Sequence, residues 1–513
     1  MTAKATPHTR TSRSWSTAND DDATAQTPEG GPLRAREVAP EDRIHFLKMG
    51  AYGAGGLANN LLAAGSGGMM IALNLGYGMN PALVGLLGAL PRLTDAITDP
   101  VMGHISDHTR SRWGRRRPYI FLGAIAAPVM LALLWQLPEN RSESFYFNYF
   151  LVGSLVFYLA YTVFATPWVA LGYELTPDYN ERTRLMGVQN FIAQLAWLIA
   201  PWFLWFMERP VFGDMRGGAA ALAVALALAC AGLGILPALF LKERHAGVDA
   251  PGSSHRTRTA TEALAAGARA VSRFAVGFGE TLGSLDFLKL CGATFLVFNG
   301  FQLVAAFQSY VIIFYVFAGD QDAAGYWVGA VGTVSALATF GVIVLTTLLG
   351  TWIGKRQAFF VCIGISTLGY GLKWFCYDPA NPWLLLLPAP LVAFGLGSLF
   401  TLMGSMVADV CDQDELKTGE RREGMYGAIF WWVVKLGMAA ALAAGGFLLN
   451  ATGFDVELAG EQTERTLFLM RVFDVSMPTV ASIVAMLLIA RYGITESKAR
   501  AIRAALEERR GVR

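Results

Sequence analysis

Charge is scarce in this chain. Asp, Glu, Lys and Arg make up only 16% of its 513 residues, where an ordinary soluble domain carries about 25%. The formal net charge is +2, so no global field draws it to nucleic acid, and no nucleic-acid partner is expected. Cysteine is sparse too. Cys230, Cys291, Cys362, Cys376 and Cys411 are scattered, form no CxxC pair and give no disulfide framework, so they read as small core residues. The chain lacks HExxH and GxSxG, and no nucleophile stands beside a base. An enzyme is not expected, and no organic cofactor is expected either. There is no P-loop, which argues against transport driven by ATP on this chain alone. The six histidines are dispersed; the single i, i+4 pair, His104 and His108, reads as solvated. The first forty or so residues are rich in Ser, Thr, Ala, Asp and Pro, without the apolar core of a cleavable signal. Residues 1–44 are expected to form a disordered cytoplasmic tail.

Long apolar runs are abundant. Hydrophobic residues make up 54% of the chain, and the mean hydropathy is +0.41. The runs reach the roughly 20 residues that a helix needs to cross a hydrocarbon core of roughly 30 Å. Twelve spans are expected: 46–75, 81–107, 118–137, 147–174, 185–208, 217–241, 287–318, 325–350, 357–376, 382–408, 423–450 and 470–493. The expected fold is an all-α polytopic membrane protein with twelve transmembrane helices in two six-helix bundles, 45–241 and 285–495. A cytoplasmic loop (242–284) would join the bundles, a cytoplasmic tail (496–513) would follow, and the lipid bilayer would be the surrounding partner.

The joints between spans alternate in charge. Asn74 to Asn80, Gly319 to Gly325 and Tyr377 to Pro382 hold no Lys or Arg. The intervening joints are basic: Arg110, Arg112, Arg115, Arg116 and Arg117; then Arg182 and Arg184; Lys242 and Arg244; Lys355 and Arg356; Lys417, Arg421 and Arg422. The positive-inside rule puts these joints and both termini in the cytoplasm and fixes an even helix count. Arg209 and Arg216 are exceptions, since the scheme places them outside. The long central joint divides the chain six plus six, the seam expected between two pseudo-repeats.

Charges inside the apolar spans carry the functional signal. Pro91-Arg92-Leu93-Thr94-Asp95-Ala96-Ile97-Thr98-Asp99-Pro100 lies near the middle of the second span. Asp95 and Asp99, at i and i+4, share one helix face, and Arg92 can join it. A carboxylate at mid-membrane costs about 2.5–3.5 kcal/mol on insertion scales. Two neighbouring carboxylates repel, so one takes up a proton or both share a cation. With the hydroxyl of Thr98 or Thr94 they offer hard oxygen ligands for Na⁺ or H⁺. The alternative is a purely structural ion-pair cluster. Lys435, deep in Phe430-Trp-Trp-Val-Val-Lys435, seeks a carboxylate, and Asp95 and Asp99 are the natural candidates. Lys373, nearer a helix end, reads as a snorkelling residue. Asp107 with the arginines beyond it, Arg110 and Arg112 among them, and the joint from Asp409 through Arg421 read as charge latches or as topology anchors.

The stretch Arg92-Leu-Thr-Asp95-Ala-Ile-Thr-Asp99-Pro-Val-Met-Gly103-His-Ile-Ser-Asp107-His-Thr-Arg110-Ser-Arg112-Trp-Gly114-Arg-Arg-Arg117-Pro118 resembles the signature of the glycoside-pentoside-hexuronide:cation symporters. These are the melibiose-permease-like branch of the major facilitator superfamily. Asp409 through Lys435 and Thr166 through Thr183 resemble two further blocks of that family, and the likeness covers about residues 45–495. The resemblance implies that Asp95 and Asp99 are coupling-cation ligands, with Thr98 where the family often has Asn and Thr162 supplied by the fourth helix. It implies that Arg92 and Lys435 line the cavity as charge partners. From the charge clusters, Gly103, Asp107, Arg110, Arg112, Asp409 and Arg421 are expected to form a cytoplasmic gate. The chain also departs from the pattern. Asn59, Ala165 and Asn190 fall where the melibiose permeases place a sugar-binding Asp, a second Asp and an Arg. Asn59, Asn60, Gln189, Asn190 and Gln194 offer neutral hydrogen bonds instead, and Trp168, Trp431 and Trp432 offer stacking faces. The expected activity is symport of a sugar-like solute with Na⁺ or H⁺ by a monomer in the cell membrane. The rivals are a carrier of a lysolipid or drug-like solute and a non-transporting membrane sensor.

Overall fold

The computed structural model describes residues 43–138, 140–176, 179–243, 283–419 and 423–509; the side chains of some helical residues, Asp95 among them, lie outside the description. The tail expected over 1–44 and the loop expected over 242–284 fall outside the described residues except at their inner ends.

Among the described residues, thirteen principal helices follow one another. The first six are α1 (Phe46–Gly68), α2 (Pro81–His108), α3 (Arg117–Leu134), α4 (Glu143–Glu174), α5 (Tyr179–Ile199) and α6 (Met215–Phe240). The next six are α7 (Leu285–Tyr310), α8 (Gln321–Trp352), α9 (Lys355–Cys376), α10 (Pro388–Thr418), α11 (Glu423–Ala451) and α12 (Glu464–Ala490). Helix α13 (Glu496–Arg509) buries Ile502 and Leu506 against the end of α10. A π-helical turn, Val311–Val316, extends α7. By length and composition, ten helices among the described residues qualify as membrane spans. Of the first twelve, the two that do not are α1, rich in Gly and Asn, and α2, which carries Arg92, Asp95 and Asp99 inside it.

Local chemistry sets the ends. The side chains of Asn80, Asp214 and Asp320 accept backbone N–H bonds at 2.9, 2.8 and 3.1 Å and start α2, α6 and α8. Gly419, at φ 76°, ends α10 by donating to the Glu415 carbonyl. That cap corrects one boundary. Helix α10 continues for ten residues past the expected 408, so Asp409 lies on a helix and not in a joint.

Packing follows the repeat. In the first half, α1 packs on α5 and α6, α3 on α4 and α6, and α2 on α4. Adding six to each number gives the principal pairings of the second half: α7 on α11 and α12, α9 on α10 and α12, and α8 on α10. The two bundles meet along two seams, α2 with α11 and α5 with α8.

Both seams close on one face of the molecule, the face opposite the basic joints. A Cβ on Gly85 would sit 2.7 Å from the Leu442 carbonyl, and one on Gly446 would strike the Pro81 carbonyl. Likewise a Cβ on Gly325 would lie 3.0 Å from the Trp205 backbone. Only glycine allows these backbones so close. Polar bonds reinforce the face. Tyr310 donates to Asn74 at 3.0 Å, Trp202 Nε1 to Thr333 at 2.9 Å, and Arg209 pairs with Asp322. The Arg209 exception thus has an acidic partner across the seam, and Arg216 has one in Asp214 at 3.0 Å. Toward the basic joints the bundles part: among the described residues, neither α4 nor α5 packs along α10 or α11.

Candidate functional site

The face of α11 that meets α2 reads Trp431, Lys435, Leu442, Gly446, at helical spacing. Gly446 touches α2 backbone, and Leu442 lies 3.2 Å from a Cβ built on Gly88. Further along, the long Lys435 side chain reaches across to α2. It reaches Asp99 of α2, and the two side chains are 44% and 33% exposed. One turn beyond, Trp431 is 56% exposed. The pair therefore stands where closed seam gives way to open cleft, within reach of water.

Three hydroxyls surround Asp99. Thr162 of α4 donates to Oδ1 at 3.1 Å and Thr166, one turn later, to the same oxygen at 3.3 Å. Thr98 lies 3.3 Å from the Thr162 hydroxyl and also donates to the Thr94 carbonyl at 3.2 Å. Lys435 holds the other carboxylate oxygen, Oδ2. Hydroxyl and carboxylate oxygens suit a hard monovalent cation, and the ammonium now fills that electrostatic role. With the ammonium displaced, one carboxylate and the hydroxyls of Thr162 and Thr166 would be left to face a small cation. Among the described residues, no three His, Cys, Asp or Glu converge on a metal-sized site.

The structure thus brings Asp99, Thr98, Thr162 and Lys435 together. It adds Thr166, which lies one turn from Thr162 on α4; that i, i+4 spacing was the signal available for it. The side chain of Asp95 lies outside the description. Arg92 stacks over the Tyr158 ring at 5.5 Å, inside the first bundle. Asn59 bonds Asn60 at 3.3 Å, and its own carbonyl oxygen is buried without a partner. Asn190 is exposed and Trp432 is half-buried.

Trp168 requires correction. It was expected to offer a face to solute, but it is 5% exposed. Its ring lies against Tyr52 at 5.1 Å and Phe164 at 6.3 Å, and its Nε1 donates to the Tyr52 carbonyl at 3.2 Å. It is core. The available aromatic face is the stack of Trp431 on Phe400, with centroids 5.9 Å apart and planes 15° from parallel.

The charges near the basic joints form ties within each bundle. Asp107 meets Arg116 at 2.7 Å, and Arg116 meets Glu174 at 3.1 Å, joining the ends of α2, α3 and α4. Lys355 meets Asp409 at 2.6 Å, joining α9 to α10. These ties occupy repeat-related positions, as do two glycines. Gly114 (φ 106°) sits against Glu243, and Gly354 (φ 83°) against Glu496. Glu243 accepts the N–H groups of Arg115, Arg116 and Arg117 at 2.8–3.0 Å and so caps α3. Gly103 lies 3.7 Å from the Thr166 methyl by its would-be Cβ, and Arg112 is exposed. Arg421 falls outside the described residues.

Lys373 also differs from expectation. It does not snorkel: it is 4% exposed and pairs with Asp474 of α12 at 2.6 Å. Asp474, an acid within the twelfth apolar span, was legible as an intramembrane charge.

A family model described as MFS/sugar transport protein matches residues 51–496. An uncharacterised symporter of Synechocystis sp. is 25% identical, covering 91% of this chain and 98% of its own length. An isoprimeverose transporter of Lactiplantibacillus pentosus is 25% identical over 74% of each chain. Among solved structures, a bacterial homologue of the human lysosomal transporter Spinster, inward-facing and unoccupied, superposes with a TM-score of 0.60 at 14% identity. It covers 92% of this chain and 98% of its own.

Proposed function

The chain belongs to the MFS/sugar transport protein family, and from that membership we propose that it is a cation-coupled symporter of a sugar or glycoside. The coarser statement needs no proposal: it is a multi-pass membrane transporter of small solutes of the major facilitator fold, not an enzyme. One observation carries the finer reading. The Asp99–Lys435 pair bridges the two bundles at mid-depth, half open to the cleft, with threonine oxygens around the carboxylate.

The mechanism follows from competition. In the present state Lys435 neutralises Asp99 and tethers α11 to α2. Na⁺ or H⁺ arriving from the cleft takes the carboxylate, and Lys435 is freed toward the cavity. The released ammonium and the exposed Trp431–Phe400 stack then face the solute together: a donor for a ring hydroxyl and an apolar plate for the C–H face of a sugar. Because cation and solute favour the same arrangement, each raises the affinity for the other by an equal factor. We place the basic joints and both termini in the cytoplasm by the positive-inside rule. The described conformation is then inward-facing, with the glycine seams closing the outer side. Asn59 and Asn190, in place of charged sugar ligands, point away from α-galactosides held by carboxylates.

The test is a thermal-shift screen of the purified protein against mono- and disaccharides, with and without Na⁺ and across pH. A sugar whose stabilisation grows with Na⁺ or with protons supports the reading, and Asp99→Asn should abolish that growth. Uphill accumulation of the solute by Asp99→Asn vesicles would sink the coupling role.

A further inference from the structure

The second bundle contains a charge cluster apart from the Asp99 site. Lys373 of α9 meets Asp474 of α12 at 2.6 Å, with side chains 5% and 0% exposed. Tyr377 donates to the same carboxylate oxygen, Oδ2, at 2.6 Å. The other oxygen, Oδ1, is buried without a hydrogen-bond partner. Arg471, one turn before Asp474, is engaged elsewhere. It donates to the Trp374 carbonyl at 3.0 Å and lies 4.1 Å from the Tyr315 ring and 4.4 Å from that of Trp374. Lys373 and Tyr377 also line a cavity of about 20 Å³. Gln308 of α7 and Ser335 of α8 provide its other polar walls, and Asp474 does not reach it.

The chemistry of this cavity narrows its occupant. An ammonium has three donors, and the ion pair leaves some of them free. A cavity holds a water once it offers about 10–15 Å³ and two to four polar partners. This one offers that space and three partners. A sodium ion would have to sit against Lys373 with no carboxylate in the wall. A larger anion exceeds the volume and would sit close to Asp474.

We propose that the cavity is a site for one ordered water, held by Lys373, Ser335 and Gln308, and that the hydrated Lys373–Asp474 pair is a fixed clamp between α9 and α12, not a second cation site. The water completes the solvation of the ammonium, which lets the pair remain charged in apolar surroundings. The clamp holds α9 and α12 together, and through Arg471 it also grips the π-helical end of α7. This inference is independent of the solute and of the coupling ion.

Full-length protein in detergent supplies the test. Ser335→Ala and Gln308→Leu are each made in the wild-type background and in the neutral double variant Lys373→Met/Asp474→Leu. Each should lower the Tm by about 2 °C in the wild type and leave it unchanged in the neutral background, where no ammonium needs the water. Equal shifts in both backgrounds, or none in the wild type, would overturn the water site. A Na⁺-dependent rise in Tm that disappears in the neutral double variant, with Asp99 intact, would overturn the clamp. Its persistence there supports it.

Discussion

The two lysine–aspartate pairs within the apolar spans use the same chemistry in opposite settings. Asp99–Lys435 joins the two bundles, is a third to nearly half exposed, and has threonine hydroxyls around its carboxylate. Lys373–Asp474 lies within one bundle and is sealed. Taking charges out of water is costly and is offset only by the pairing itself, so a sealed pair that loses one partner leaves a stranded charge. A pair in contact with water loses little, because solvent or an ion replaces the partner. Access to water therefore separates a switch from a clamp here.

The largest expected effect comes from breaking the sealed pair. Lys373→Met leaves Asp474 buried with only Tyr377 for company and should cost about 3–5 kcal/mol of stability. Thermal unfolding in detergent measures it. Lys373→Met/Asp474→Leu should recover most of the loss, since two apolar groups strand no charge. A single variant that melts with the wild type would erase the distinction between the pairs.

Breaking the open pair should show the reverse profile. Asp99→Asn is expected to change stability by about 1 kcal/mol or less. Its cost falls on coupling: the factor by which cation raises solute affinity, roughly 5–150-fold in linked systems, should drop to one. Solute binding titrated with and without Na⁺, and at two pH values, measures it. An Asn variant that unfolds readily yet stays coupled would exchange the roles assigned to the two pairs.

The sequence made the open site legible and left the sealed one unread, and the reason is physical. Asp99 and Lys435 lie far from either end of their spans, where snorkelling cannot explain a charge. Lys373 lies three residues from the end of α9, where it can, and only tertiary packing turns it inward onto Asp474. The six-plus-six division showed in the long central joint. The closure of one face did not, because it depends on which of the 55 glycines meet across a seam, as Gly85 and Gly446 do. Trp168 misled for a related reason: an indole on a helix looks the same in sequence whether its faces are free or stacked on Tyr52 and Phe164.

That seam offers a smaller effect, which sharpens the meaning of access. A methyl at Gly446 would strike the Pro81 carbonyl, and overpacking of this kind costs about 1–3 kcal/mol. The cost falls only on the state with this face closed. Gly446→Ala should therefore shift the population toward the opposite opening and speed the reaction of Leu442→Cys with a membrane-impermeant thiol reagent. The five native cysteines are buried, which keeps the background low. An unchanged labelling rate would mean that this contact does not hold the seam.

The smallest effect is expected at Arg209–Asp322, which also bridges the bundles but lies at the rim, with side chains 28% and 57% exposed. Arg209 rests over the Trp205 ring at 4.3 Å, so part of its anchoring is local to α5 and its short continuation. Arg209→Ala should lower stability by no more than about 1 kcal/mol. The difference should shrink further in about 1 M salt, where the screening length is about 3 Å. Melting curves at low and high salt measure both. The cation–solute coupling should be untouched, because this carboxylate has water but no ring of threonine hydroxyls. If Arg209→Ala instead uncoupled transport as Asp99→Asn does, exposure and a bridging position would be enough to make a switch, and the oxygen ligands around Asp99 would lose their special place.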